Sequence, residues 1–141
     1  MSARILDGKS IAAEIRREVQ IEVAAMAAQT GVVPCLAAIL VGNDPASATY
    51  VQKKAKACKE VGITSVRIEL PADLSEASLL HEIERLNSDP AVHAILVQLP
   101  LPPHISERRV LEAILPEKDV DGFHPSNLGG LLVGSPLFVA S

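Results

Sequence analysis

The chain is poor in aromatic residues, in cysteine and in positive charge. Its 141 residues include no tryptophan, one tyrosine and two phenylalanines. The formal net charge is −4 and no run of five like charges occurs, whereas nucleic-acid backbones are bound by concentrated Lys and Arg. Cys35 and Cys58 fit no metal-ligand spacing and indicate free thiols in a reducing compartment. The composition therefore argues against nucleic acid as the main partner.

Long apolar runs and several well-known fingerprints are also missing. No apolar stretch approaches the ~20 residues of a membrane span, and the N-terminus has no charged-then-apolar signal peptide. The dinucleotide pattern G-x-G-x-x-G, the P-loop and the G-x-S-x-G elbow do not occur. We therefore expect a soluble, cytoplasmic protein of one domain, since 141 residues leave no room for two ordinary ones.

The hydrophobic pattern alternates between helical and strand periods. It predicts helices over 9–29, 45–61, 75–87 and 106–115, strands over 35–41, 64–70 and 93–99, and a loop from Pro116 onward. Asp44 is expected as the N-cap of the second helix, and Gly31 and Gly62 as the residues that end the first two. This order predicts an α/β fold with three α-β-α layers around a small, mostly parallel sheet of three strands.

The only tyrosine lies in the second predicted helix, near a lysine. Ser47, Tyr50 and Lys54 are spaced i, i+3, i+7 and share one helix face. Such a face can hold a planar polar ligand, with the ring stacked on it and the ammonium handling protons or developing charge. A solvated helix face with an extended lysine explains the same spacing, so the spacing alone leaves both interpretations open.

Two further residues favour a ligand site. Gln98 ends an otherwise apolar strand, and ligands of open parallel sheets bind at the carboxyl ends of strands. A strand-end cap that bonds loop backbone is the alternative. Asp121 follows on a glycine-containing loop, where one carboxylate can accept paired hydrogen bonds from a pterin or purine edge. Asp119, Asp121 and His124 provide too few hard ligands for a metal, so no metal site is expected.

Three segments of the chain resemble the methylenetetrahydrofolate dehydrogenase/cyclohydrolase family. Residues 44–57, Asp-Pro-Ala-Ser-Ala-Thr-Tyr-Val-Gln-Lys-Lys-Ala-Lys-Ala, resemble its first signature. Residues 95–102, Ile-Leu-Val-Gln-Leu-Pro-Leu-Pro, resemble its central strand. Residues 116–124, Pro-Glu-Lys-Asp-Val-Asp-Gly-Phe-His, resemble its second signature. The similarity extends in order over essentially the whole chain.

The resemblance implies two linked reactions of one-carbon metabolism. Methylenetetrahydrofolate passes a hydride to a nicotinamide cofactor, usually NADP, and water opens the resulting methenyl cation to formyltetrahydrofolate. Carried over by position, Lys54 is similar to the central catalytic lysine and Gln98 to its hydrogen-bonding partner. Tyr50 resembles the ring that stacks on the folate, and Asp121 the carboxylate that reads the pterin edge. Ser47 stands where the family has a supporting hydroxyl.

The resemblance also implies what the chain lacks. Family members continue into a Rossmann-type domain that binds most of the cofactor, so residues 1–141 are expected to be the folate-binding catalytic domain alone, as a truncated product or a separated domain. Hydride transfer by this chain alone should then fail. The full-length enzyme is expected to be a homodimer that binds tetrahydrofolate derivatives. A folate-binding or assembly module without turnover remains the alternative.

Overall fold

The fold is a parallel sheet packed between helices. The computed structural model describes residues 7–139. In chain order this part contains α1 (Gly8–Thr30), β1 (Cys35–Val41), α2 (Pro45–Val61), β2 (Thr64–Leu70), α3 (Glu76–Ser88), β3 (Ala94–Val97), α4 (Glu107–Ala113) and α5 (Pro125–Leu132). No described helix is both long enough and apolar enough to cross a membrane.

The strand order is β2-β1-β3, and both pairings are parallel. The register pairs Cys35 of β1 with Thr64 of β2, and Leu36 of β1 with Ala94 of β3. β1 therefore lies in the centre, which explains why its sequence is apolar throughout: a central strand of such a sheet is covered on both faces. The carboxyl ends of all three strands meet at one edge.

Alternate side chains of β1 pack into two separate cores. Ala37, Ile39 and Val41 contribute to a core that includes Leu79, Ile83 and Leu86 of α3 and Val110 of α4. Ala38 and Leu40 pack instead with Val51 of α2. Because successive residues of a strand point to opposite faces, α2 covers one face and α3 with α4 covers the other. The prediction of a three-layer α/β fold is confirmed.

The helix ends follow the sequence signals. Asp44 caps α2, with its Oδ2 accepting from the Ser47 N–H at 2.7 Å. Gly31 (φ 72°) and Gly62 (φ 85°) end α1 and α2 in the left-handed conformation. Val23 of α1 lies against Gly62, where its Cγ1 is 3.3 Å from the site of an added Cβ.

The apolar face of α1 is left largely open. None of its 23 residues is buried. On this face Ile11, Ile15 and Met26 are 48%, 54% and 38% exposed, whereas Val19 and Val23 are half-buried. The helical period in this segment therefore describes the helix correctly, but most of the face it marks is not part of the core of residues 7–139.

Two predicted segments differ from the structure. β3 is shorter than the predicted 93–99, although the His93 N–H bonds Cys35 O at 3.0 Å and the Gln98 N–H bonds Ile39 O at 2.9 Å. The prediction of a loop from Pro116 onward is wrong for α5, which has Pro125 at its first position and His124 as its N-cap. Proline suits that position because its missing N–H has no partner within the helix.

Candidate active site

The start of α2 places two candidate side chains at different depths. Ser47 is buried, with 4% of its surface exposed. Hydrogen bonds from its backbone N–H, and to a smaller extent from its side chain, lower the pKa of Asp44. Tyr50, one turn further on, is 60% exposed, and the Lys53 Nζ lies 5.9 Å from the centre of its ring. That distance is within cation–π range. Ser47 therefore lies beneath the helix start, while the Tyr50 ring is accessible to a planar ligand.

Lys54 is the half-buried lysine of this helix, and it lies near Asp121. Burial is the main cause that raises the pKa of Asp121, the positive charge of Lys54 lowers it, and the negative charge of Asp119 raises it. The two side chains are 67 positions apart in the sequence, yet they interact through space. The fold therefore brings the helix of the first signature and the loop of the second to one place.

Gln98 directly follows β3, and the Leu99–Pro100 peptide bond after it is cis. Its Nε2 donates to Leu99 O at 2.8 Å, as the strand-end cap hypothesis requires. Its Oε1 is buried and receives no hydrogen bond from any described residue. A buried acceptor without a donor costs roughly 1–3 kcal/mol, so this oxygen is available to an ammonium or to an N–H of a ligand. The capping and functional interpretations of Gln98 are compatible.

Asp119 is a residue whose role the sequence interpretation missed. It is 2% exposed, and its Oδ2 accepts from the His124 N–H and from Asn127 Nδ2, each at 2.8 Å. Its carboxylate therefore faces inward, away from a solvent-accessible ligand. The signal in the sequence was the Asp-x-Asp spacing, which does not reveal which carboxylate is buried. Within residues 7–139, no group of three or more His, Cys, Asp and Glu is arranged to hold a metal ion.

Lys118 fixes the other side of the same loop. Its Nζ donates to the carbonyls of Leu86, Asn87 and Asp89 at 3.0, 2.8 and 2.8 Å. Its own carbonyl accepts from the Ile95 N–H at 2.7 Å, next to an isolated bridge between Ile95 and Asp119. Carbonyls at a helix C-terminus have no partners within the helix, and a cation there is favourable. Lys118 thus attaches the loop both to the end of α3 and to β3.

A separate hollow lies at the same sheet edge, toward β2. It has a volume of about 370 Å³ and is lined by Gly42, Asn43, Glu69, Leu70, Pro71 and Ala72. None of Tyr50, Lys54, Gln98 and Asp121 lines this hollow. The turn at Gly42 therefore opens toward the β2 side of this edge. The candidate site therefore comprises α2, the end of β3 and the loop 118–124.

The fold and these side chains define a ligand-binding α/β domain of the enzyme type, with an ammonium, a carboxylate, an amide and an accessible aromatic ring around the carboxyl ends of parallel strands. The particular family is shown by direct comparison. The family model described as tetrahydrofolate dehydrogenase/cyclohydrolase, catalytic domain, matches residues 6–121. The chain belongs to this family.

Curated relatives and solved structures agree with that assignment. The bifunctional protein FolD of Geotalea uraniireducens is 60% identical over 136 residues, which cover 96% of this chain and 48% of the relative. A bifunctional FolD structure from Campylobacter jejuni has 46% identity and a TM-score of 0.96, and the match covers 99% of this chain and 49% of that one.

A Trypanosoma brucei methylenetetrahydrofolate dehydrogenase-cyclohydrolase, solved with NADP and an inhibitor, has 40% identity and a TM-score of 0.94. The match covers 99% of this chain and 48% of that one. The chain thus spans about half the length of the proteins it matches.

Proposed function

We propose that this chain binds a tetrahydrofolate derivative at the carboxyl edge of its sheet and forms the substrate half of a methylenetetrahydrofolate dehydrogenase/cyclohydrolase. That enzyme transfers a hydride from the methylene carbon to NADP and then adds water to the methenyl carbon, which leaves a formyl group on the folate. The products carry one-carbon units for purine and amino-acid biosynthesis. The proposal extends to this chain what the names of its relatives state.

The observation that carries the proposal is that Asp121 lies within the electrostatic reach of Lys54, whose positive charge lowers the pKa of the Asp121 carboxyl. A carboxylate that reads a pterin edge has to be held near the group that acts on the adjoining one-carbon bridge. We assign the pterin edge to Asp121, the stack on the folate to Tyr50, and proton handling at the one-carbon bridge to Lys54. Gln98 offers its free Oε1 to the Lys54 ammonium, and the buried Ser47 supports the start of α2.

The described residues do not fit the nicotinamide cofactor. In dinucleotide-binding folds, the pyrophosphate lies at the N-terminus of a helix that follows a strand, next to a glycine-rich turn. Here the carboxylate of Asp44 caps the helix that follows β1 and accepts the hydrogen bond of the Ser47 N–H. The pKa of Asp44 is lowered, so the carboxylate is negatively charged and repels phosphate. We therefore expect NADP to be bound by the part of the full-length enzyme that this chain does not include.

Ring opening of methenyltetrahydrofolate tests the catalytic assignment. The oxygen of water bonds to the bridging carbon and one of the two C–N bonds breaks. One proton of the water ends on the released nitrogen, and the other leaves to solvent. We expect the chain to accelerate this reaction and Lys54→Met to reduce the acceleration at least ~100-fold, the usual contribution of a positioned proton-transfer group. Lys56→Met is the matched control because Lys56 lies on the exposed side of the same helix. Equal rates for the two variants would exclude Lys54 as the reacting group.

Binding can be followed through the only tyrosine. Because the chain has one tyrosine and no tryptophan, its intrinsic fluorescence reports on Tyr50 directly. We expect tetrahydrofolate to quench this emission at the same concentrations at which calorimetry records binding, with free tyrosine as the control for absorption by the ligand. Tyr50→Leu should weaken binding ~10-fold, in line with the loss of one aromatic stack. Binding recorded by calorimetry without quenching would contradict the stacking role.

The exposed face of α1 favours a second candidate, a folate-binding or assembly module. Ile11, Ile15 and Met26 are exposed on one face of this helix, and contiguous exposed apolar patches mark protein contacts. Folate binding without any acceleration of ring opening would support this candidate. We also propose a cytoplasmic location and a homodimer for the full-length enzyme. Sedimentation of the full-length protein checks the dimer.

A further inference from the structure

We infer that Asp119 is a positioning residue, which holds the loop 118–124 so that the Asp121 carboxylate faces Lys54 and the bound pterin. This inference rests on the proposed function, because it concerns how the carboxylate of that site is presented. Nothing in the family assignment or in the names of the relatives gives Asp119 a role. The hydrogen bonds that enclose Asp121 and the burial of Asp119 support this role.

Asp119 accepts two hydrogen bonds that enclose Asp121. The backbone carbonyl of Asp119 accepts from the Gly122 N–H at 3.2 Å, which closes a tight turn over residues 119–122. Its side-chain Oδ2 accepts from the His124 N–H at 2.8 Å, two residues further on. Gly122 has φ 70°, a conformation that side chains disfavour. Asp121 is therefore held inside a loop that one residue closes twice.

The Asp119 side chain also ties this loop to α5. Asn127 is 2% exposed, and its Nδ2 donates to Asp119 Oδ2 at 2.8 Å and to Pro116 O at 3.1 Å. The Pro116 carbonyl and the Asp119 carboxylate are thus joined to one buried amide. The Asp119 carboxylate touches neither solvent nor ligand. It fixes the loop that carries Asp121, and it therefore acts on the ligand through Asp121. Positioning of this kind matters because a shift of ~1 Å at a reacting group costs ~100-fold in rate.

The first experiment is a double-mutant cycle on tetrahydrofolate affinity. Asp119→Asn keeps the shape of the side chain but turns its two charge-assisted hydrogen bonds, from the His124 N–H and from Asn127 Nδ2, into weaker neutral ones. We expect it to raise the Kd at least ~10-fold in the wild-type background and less than ~2-fold when Asp121→Asn is already present, because non-additivity indicates action through the second residue. An equal loss in both backgrounds overturns the inference. Absence of binding by the wild-type chain would instead refute the proposed function.

A second readout needs no folate. The negative charge of Asp119 is one cause that raises the pKa of Asp121. Asp119→Asn should therefore lower the pKa of Asp121, measured by NMR titration of its side-chain carboxyl carbon in the ligand-free chain. The loss of charge alone produces this shift, so the titration tests whether the two carboxylates face each other, and the affinity cycle tests the positioning. An unchanged pKa of Asp121 in a folded Asp119→Asn chain overturns the inference on its own.

A milder pair of variants covers the case in which Asp119→Asn does not fold. Compared with His124→Ala, His124→Pro differs in lacking the N–H that donates to Asp119 Oδ2. The φ of −61° at His124 suits proline. His124→Ala keeps that N–H and removes the ring, so it serves as the matched control. Both variants lose the cap that the ring provides to the Ser126 N–H. We expect only the proline variant to weaken tetrahydrofolate binding, and equal affinities for the two variants contradict the inference.

Discussion

Replacing Lys118 with methionine is expected to destabilise the domain by removing the cation that caps α3. The substitution keeps the apolar stem and deletes the Nζ, which donates to the carbonyls of Leu86, Asn87 and Asp89. Two of these carbonyls have another donor. Leu86 O also accepts from the Asp89 N–H at 3.3 Å, and Asp89 O from the Val92 N–H at 3.2 Å. Among the described hydrogen bonds outside regular helix pairing, only Asn87 O loses its sole donor.

The expected magnitude follows from this difference. One carbonyl left without its donor costs roughly 1–3 kcal/mol, and the loss of a cation at a helix C-terminus adds about 0.5 kcal/mol. Water reaches part of this half-buried site, so we take the lower part of that range, about 2 kcal/mol. At an unfolding entropy of about 2.1 cal/mol/K per residue, this free energy corresponds to a Tm lower by about 7 °C.

Thermal unfolding followed by circular dichroism measures this shift. The control is Lys56→Met, since Lys56 is exposed and its only ion pair, with Glu60, spans 4.0 Å between Nζ and Oε1. Exposed pairs of this type contribute less than about 0.5 kcal/mol, so the control should move the Tm by less than about 2 °C. Equal shifts for the two variants would refute the assignment of Lys118 as the cap of α3.

Three further predictions concern single side chains. Gln98→Met removes the unpaired Oε1. It should leave the free energy of unfolding within about 1 kcal/mol of wild type while abolishing ring opening. A large destabilisation would mean that Oε1 has a hydrogen-bond donor in solution. Burial raises the pKa of Asp121, so the stabilising contribution of this residue is complete below its ordinary pKa and is lost as pH rises through the raised pKa. Asp121→Asn should therefore gain stability relative to wild type as the pH rises from about 3 to about 7. A stability difference in urea unfolding that does not change with pH contradicts this prediction. Ile83→Ala, at a fully buried position of α3, should cost about 2–5 kcal/mol in urea unfolding, and a cost below 1 kcal/mol would place Ile83 outside the core.

The layers of the fold could be predicted from the sequence because each strand and helix carries its own period. β1 and β2 have the predicted bounds, and α2 begins and ends at the predicted Asp44 and Gly62. These features depend on local chemistry, such as a cap or an apolar run between glycines. α5 was missed because Gly129 and Gly130 lie inside it, and glycine is unfavourable in a helix. A glycine is needed at position 130 because a Cβ there would lie 2.8 Å from Ser135 O, in the turn that follows the helix.

The candidate site was predictable to a different degree. The family resemblance assigns Lys54 and Asp121 to one site, and in the structure the charge of Lys54 acts on the Asp121 carboxyl, which spacing could not show. The burial of Asp119 was not predictable, because its partners are a backbone N–H and Asn127, which the pattern does not distinguish from surface groups. Side-chain direction on an irregular loop depends on hydrogen bonds that have no sequence period.

The central position of β1 has a consequence for how the protein is made. Its partner Thr64 in β2 follows Cys35 by 29 residues, and its partner Ala94 in β3 follows Leu36 by 58 residues. At about 5–20 residues per second of synthesis, the last partner leaves the ribosome roughly 3–12 s after β1. During that interval the most apolar strand of the sheet is unpaired on at least one side. We therefore expect the yield of folded protein to depend on the rate of translation as well as on the stability of the finished fold.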